Sequence, residues 1–283
     1  MNGPGKYPPR HGCHCGGGCH LGKPQNIAPR DLLSLDFSKP KKEGGCRCGG
    51  HVCPRHYLAI TGFILGSFLL LHFIVNAFGL WPARFQTVVT LIHGLGAVLP
   101  ILEIGLVLTL AIHVVLGLRT LCREKLTLGV EKHHCRSDVR YWLQRVTAVV
   151  LLVFLSFHLA MMHRWGFHLV YQITHWPVLR RYAASGLFEP QRAFASASEA
   201  QWRFWDEHTA SPANWLMAQL YLLGIAAAVY HLANGVATAT EVLGFVTTTS
   251  QKDRCWRVCT GAGYVLAAIG LAAWYAFTPG AHF

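Results

Sequence analysis

Residues 57–80 read YLAITGFILGSFLLLHFIVNAFGL, 24 positions without a Lys, Arg, Asp or Glu, with His72 set well inside them. A helix of that length at 1.5 Å per residue covers about 36 Å, enough to cross a hydrocarbon core of about 30 Å. Four more stretches, 93–118, 141–162, 214–236 and 258–277, satisfy the same test. Backbone polar groups in hydrocarbon must be satisfied within their own segment. The chain therefore reads as an all-α membrane protein with five transmembrane helices. Composition agrees: 52% hydrophobic and 13% charged residues is about half the charge of an ordinary soluble domain, which excludes a water-soluble enzyme. The net charge of +12 would suggest nucleic acid for a soluble chain. Here it points to a membrane surface, and no nucleic-acid partner is expected.

Lys and Arg set the orientation. Nine precede residue 57, seven lie in 119–145 and three in 247–257, against one in 81–92 and five in 164–213. Positive charge collects on the cytoplasmic side, so the amino terminus is expected inside and, with five spans, the carboxyl terminus outside. Residues 1–56 contain no apolar signal-peptide core, which agrees. Trp81, Trp165, Trp215 and Trp256 fall near span ends, as an aromatic belt requires. All ten cysteines lie in, or at the edge of, the segments assigned to the reducing side, so they read as free or metal-bound thiols.

One histidine stands well inside each of the first four spans: His72, His113, His158 and His231. A single imidazole in hydrocarbon is usually a hydrogen-bonded core residue, but these four have correlated depths. His72 and His158 are about 15 and 17 residues into outward-running spans, roughly 22–26 Å from the inner surface. His113 and His231 lie on inward-running spans, six residues before Arg119 and ten before Glu241. Two pairs at two depths, each drawn from two helices, are the arrangement for two stacked bis-imidazole hemes in a bundle formed by the first four spans. Gly62, Gly66, Gly94, Gly96, Gly224 and Gly235 would leave room between the helices.

Four motifs carry a family resemblance: His72-Phe-Ile-Val-Asn76; Leu102-Glu103-Ile104 followed by His113; Gln144-Arg145-Val-Thr147 through Ser156-Phe-His158; and Tyr230-His231-Leu-Ala-Asn234-Gly235. In order, spacing and helix assignment the chain resembles the diheme cytochrome b membrane anchor of succinate dehydrogenase and fumarate reductase, in its single-subunit, five-helix form, over about residues 57–279. The resemblance implies that His72 and His158 ligate a distal heme b and His113 and His231 a proximal one. It also implies a bacterial cytoplasmic membrane protein that docks a flavoprotein subunit and an iron–sulfur subunit on its inner face. Electrons would pass through both hemes to a menaquinone-type quinone near the outer surface, with no flavin or succinate site on this chain. The basic residues Arg119, Arg123, Lys125, Arg136, Arg140 and Arg145 suit such docking, although the positive-inside rule also accounts for them.

Two features depart from the family pattern. Val229 stands where some fumarate-reducing relatives carry a membrane glutamate, leaving Glu103 as the acidic residue plainly inside a span, and the 164–213 connection is longer than usual. Polar groups at the outer ends, Arg84, Gln86, His93 and His163, are the candidates for a quinone carbonyl. Two alternatives stay open. One is a diheme cytochrome b subunit of another quinone-coupled complex, such as fumarate reductase, formate dehydrogenase or hydrogenase. The other is a metal transporter, which would call for acidic residues along its path.

Residues 1–56 form a separate Cys/His-rich extension, expected in the cytoplasm. Cys13-His-Cys15-Gly-Gly-Gly-Cys19 and Cys46-Arg-Cys48-Gly-Gly-His51-Val-Cys53 repeat the form C-x-C-G-G followed by a third Cys. Six thiols in a segment too Gly-rich to fold on a core of its own point to a structural metal, zinc or an iron–sulfur cluster.

Overall fold

The computed structural model describes residues 54–123, 136–175, 180, 186–203 and 212–279. Cys13, Cys15, Cys19, Cys46, Cys48 and Cys53 lie outside the described residues. Among the described residues the α-helices are, in chain order, α1 (Pro54–Ala77), α2 (Pro82–His93), α3 (Val98–Arg123), α4 (Arg136–Met162), α5 (Arg164–Thr174), α6 (Ala193–Ser198), α7 (Pro212–Val242) and α8 (Thr249–Ala276). Five stretches among the described residues are long and apolar enough to cross a membrane: Pro54–Leu80, Val98–Cys122, Val139–Met162, Asn214–Val242 and Thr249–Ala276. The chain is a helical protein of multi-pass membrane type. Large apolar side chains lie exposed along the spans, among them Leu71, Ile101, Leu108, Val153, Leu216 and Val265. A bilayer supplies the apolar surroundings that such faces lack in water.

The span boundaries differ from the hydropathy reading in three places, each with a local cause. Residues 81–92, expected to be a bare connection, carry α2, which starts with Pro82 in its first turn, where a missing N–H costs nothing. It ends on His93, so the second span, expected from 93, opens at Val98 and leaves Gly94 and Gly96 in the turn before it. At 12 residues α2 covers only about 18 Å and cannot span. It buries Phe85 and Val89, one helical turn apart, against Ala193, Ala276 and Phe277. The fifth span begins at Thr249 instead of 258, because Thr248 and Gln251 form a reciprocal capping box. That box lets α8 carry Lys252, Asp253, Arg254 and Arg257 in its first turns. The fourth span continues to Val242, where Gly244 (φ +79°) closes it. Phe245 N–H donates to Thr240 O and Gly244 N–H to Glu241 O, a left-handed C-terminal cap.

Helix α1 is central: it packs against α3, α7 and α8, while α7 packs against α4 and α8. Helix α8 supports α1 and α7 with one face of buried residues, Cys259, Gly263, Leu266, Gly270 and Ala273. Gly263 and Gly270 are needed there. A Cβ on Gly270 would lie 2.8 Å from Ile225 and 2.9 Å from Phe73, and one on Gly263 3.1 Å from the Ala233 Cβ. Small residues let membrane helices approach this closely. The 164–213 connection contributes α5, a turn at Pro190–Arg192, α6 and a wide turn at Glu199–Arg203. Gln201 ties this segment to α8 by donating to Trp274 O at 2.8 Å.

Candidate functional site

The four span histidines come together as two pairs. His72 on α1 and His158 on α4 have ring centroids 6.1 Å apart, and His113 on α3 and His231 on α7 are 6.5 Å apart. In both pairs the rings are steeply inclined, at 81°. Two imidazoles on opposite sides of one metal ion, with metal–nitrogen bonds of about 2.0 Å and about 1.1 Å from nitrogen to ring centre, have centroids about 6.2 Å apart. Both pairs meet that spacing.

Helix geometry gives the distance between the layers. Thr61, which touches His113, precedes His72 by 11 residues, and Thr147, which touches His231, precedes His158 by 11. Both intervals equal about 16 Å along their helices. On α7, Tyr221 touches His158 and lies ten residues before His231, about 15 Å. Three helices thus agree. A cluster around Phe73, Ala228 and Leu266, with Leu69, Leu151 and Leu232 packed on it, supplies apolar packing from these helices and α8.

The surroundings of the two pairs differ. The His72–His158 pair is set among aromatic rings: Phe68 lies beside His72 at 5.5 Å, Phe154 stacks on His158 at 5.7 Å and 17°, and Tyr221 meets His158 edge-on at 5.7 Å. His158 Nδ1 and the Tyr221 hydroxyl are buried with no hydrogen-bond partner among the described residues. A buried polar group without a partner costs about 1–3 kcal/mol, so this layer suits an additional bound group. The His113–His231 pair is hydrogen-bonded. Thr61 Oγ1 lies 2.9 Å from His113 Nδ1 and Thr147 Oγ1 3.5 Å from His231 Nδ1. Gln144 Nε2 lies 3.2 Å from His231 O and 3.4 Å from His231 Nε2, and Gln144 Oε1 accepts from Asn234 Nδ2 at 2.9 Å. A Cβ on Gly62 would come within 3.3 Å of His113 Cε1, so this glycine makes room for the ring.

The four candidates for a quinone carbonyl serve different ends. Gln86 is a clasp: its Nε2 donates to Pro190 O at 2.8 Å and its Oε1 accepts from Ala193 N at 2.9 Å, fixing α2 to the connection. That amide is committed at both ends. His93, the last residue of α2, stacks on Phe188 at 6.4 Å. The Arg84 guanidinium lies over Trp81, 5.4 Å from its centroid. His163 is the half-buried residue before α5, and its carbonyl accepts from Gly166 N and Phe167 N. Glu103 is exposed on α3. Among the described residues, no cluster of three or more His, Cys, Asp or Glu is placed to hold a metal ion.

Thr61 and Tyr221 escaped the sequence reading. Thr61 had no local signal, being one hydroxyl in an apolar run whose partner lies 52 residues away. Tyr221 was within reach, since counting ten residues back from His231 places it at the level of His72 and His158. No family model, characterised protein or solved structure matches this chain.

Proposed function

We propose that this chain is the diheme cytochrome b membrane anchor of a succinate:quinone oxidoreductase. In this reading it receives electrons from an iron–sulfur subunit and passes them to a menaquinone-type quinone. The observation that carries the reading is the convergence of four histidines from four spans into two pairs, 6.1 Å and 6.5 Å between ring centroids. Heme b supplies one-electron redox chemistry when bound between such imidazoles. The residues present suit it: paired neutral nitrogen donors, aromatic packing around one pair and hydroxyl and amide partners around the other. His72 and His158 would hold the outer heme, and His113 and His231 the inner one.

The basic inner residues, among them Arg140, whose guanidinium lies over the Trp256 ring at 4.4 Å, supply a positively charged face for the iron–sulfur and flavoprotein subunits. On the outer side the segment from Pro190 to Arg203, held by Gln86 and Gln201, would cap the end from which quinone is reached. The motifs shared with the anchors of succinate dehydrogenase and fumarate reductase favour this complex over other quinone-coupled complexes.

The test is a reduced-minus-oxidised spectrum with pyridine hemochrome quantification, on wild type and on His158→Ala and His231→Ala. Two b hemes per chain, with each substitution removing a different one, are expected. No heme in the wild-type chain would sink the proposal. Two hemes with a co-purifying formate dehydrogenase or hydrogenase subunit would keep the cytochrome and reject the complex.

A further inference from the structure

The inner pair shows where its protons are. The Thr61 hydroxyl lies 2.7 Å from Tyr57 O and 3.2 Å from Leu58 O, so its one proton is given to its own helix backbone. An oxygen whose proton is committed can only accept. At 2.9 Å from His113 Nδ1 it must receive the Nδ1 proton, which leaves the lone pair on Nε2. Thr147 repeats the pattern. Its hydroxyl lies 2.8 Å from Leu143 O and 3.1 Å from Gln144 O, and its oxygen faces His231 Nδ1 at 3.5 Å.

Gln144 reaches the same result for His231 by a separate route. Its Oε1 accepts from Asn234, and its amide nitrogen donates to His231 O. The amide orientation is thereby assigned. That nitrogen also lies 3.4 Å from His231 Nε2, which must then accept, placing the proton on Nδ1. Both inner imidazoles present an unprotonated Nε2. At the outer pair, His158 Nδ1 is buried without such a partner among the described residues.

We propose that Thr61 and Thr147 are positioning residues that lock the inner imidazoles as Nδ1–H tautomers, which puts the lone pair on Nε2, and strengthen them as donors; in His231 the Gln144 amide that faces this lone pair would have to give way to a metal. A hydrogen bond from the distal ring nitrogen fixes ring orientation and raises ligand basicity, which favours the oxidised metal. The tautomer follows from the protein alone, and only its redox consequence rests on the heme reading.

The experiment uses the full chain in lipid, as wild type, Thr61→Val and Thr61→Ser. Valine keeps the shape and removes the acceptor, and serine restores it. In the heme-free chain, 15N NMR of labelled histidine, with His113 assigned by the signal lost in His113→Ala, should show Nδ1 protonated in wild type and Thr61→Ser but mixed in Thr61→Val. In the heme-loaded chain, redox titration should show one of two midpoints raised in Thr61→Val, the other unchanged, and both normal in Thr61→Ser. Nε2 protonation of wild-type His113, or a Thr61→Val chain with two hemes at unshifted midpoints, would overturn the proposal. If the chain takes up no heme, the diheme reading fails and the NMR result alone decides the tautomer. If the heme-free chain does not fold, the titration decides.

Discussion

A methyl group on Gly224 should damage the His72–His158 pair and spare the His113–His231 pair. A Cβ at that position would lie 2.6 Å from Cδ1, Cε1 and Cζ of Phe154. Carbon atoms pack comfortably at about 3.5 Å or more, so the ring must retreat by about 0.9 Å. It has little freedom to do so, because it stacks on His158 at 5.7 Å and meets Tyr221 edge-on at 5.5 Å. The displacement is passed to the His158 imidazole. Overpacking of this size costs about 1–3 kcal/mol, while replacing a helix-interior glycine by alanine returns about 1 kcal/mol. A net loss of about 0–2 kcal/mol follows, a fall in Tm of up to about 8 °C at 2–4 °C per kcal/mol.

Gly261→Ala is the control, since a Cβ there meets no heavy atom within 4 Å. It should stabilise the protein by about 1 kcal/mol through helix propensity alone. The assay is thermal unfolding in detergent together with the reduced-minus-oxidised spectrum. Gly224→Ala is expected to melt below Gly261→Ala and to shift or deplete the absorption of one centre, the one that His158→Ala abolishes. If the two alanine variants melt alike and their spectra coincide, the coupling from Gly224 through Phe154 to His158 is wrong.

Two further outcomes follow from the packing and one from the sequence. Gln86→Ala removes partners at 2.8 Å and 2.9 Å from Pro190 O and the fully buried Ala193 N; it should cost about 1–3 kcal/mol and speed hydrogen exchange at residues 186–203 without altering heme content. Thr248→Ala breaks the capping box of α8 and should lower stability by about 1 kcal/mol, whereas Thr248→Ser keeps the acceptor and should stay within a few tenths; equal unfolding temperatures for both variants would count against the cap. Serine at Cys13, Cys15, Cys19, Cys46, Cys48 and Cys53 should abolish stoichiometric zinc or non-heme iron while leaving heme content unchanged. Metal content unaffected by all six changes would end the reading of the extension as a metal site.

How much of this was legible in the sequence depends on whether a feature is set by the bilayer or by contacts distant in sequence. The five spans were legible because hydrocarbon demands apolar length, and 57–80 meets that demand unaided. Their ends were less so. Hydropathy marks where apolar residues stop, but a helix stops where its terminal N–H and C=O groups find partners. The signals were present: Pro82 after Trp81 for α2, Thr248 with Gln251 three residues later for α8, and Gly244 after α7. They sit among polar residues outside the apolar windows, so a reading by apolar length passes over them.

The pairing of the histidines was legible for a different reason. A membrane gives every helix a common axis and origin, so residue number becomes depth. Four residues counted in alternating directions sort into two levels with no knowledge of the packing. The partners of the imidazoles follow no such rule. Thr61 reaches across to a residue 52 positions away and Thr147 to one 84 away, and depth alone cannot say which side of a helix faces which neighbour. Yet those partners carry the chemical distinction between the layers. Two pairs with nearly the same ring separation, 6.1 Å and 6.5 Å, differ because hydroxyls and an amide flank one and aromatic rings flank the other. Two otherwise similar centres placed in series would therefore differ in electron affinity, and that difference arises from side chains that depth counting cannot reach.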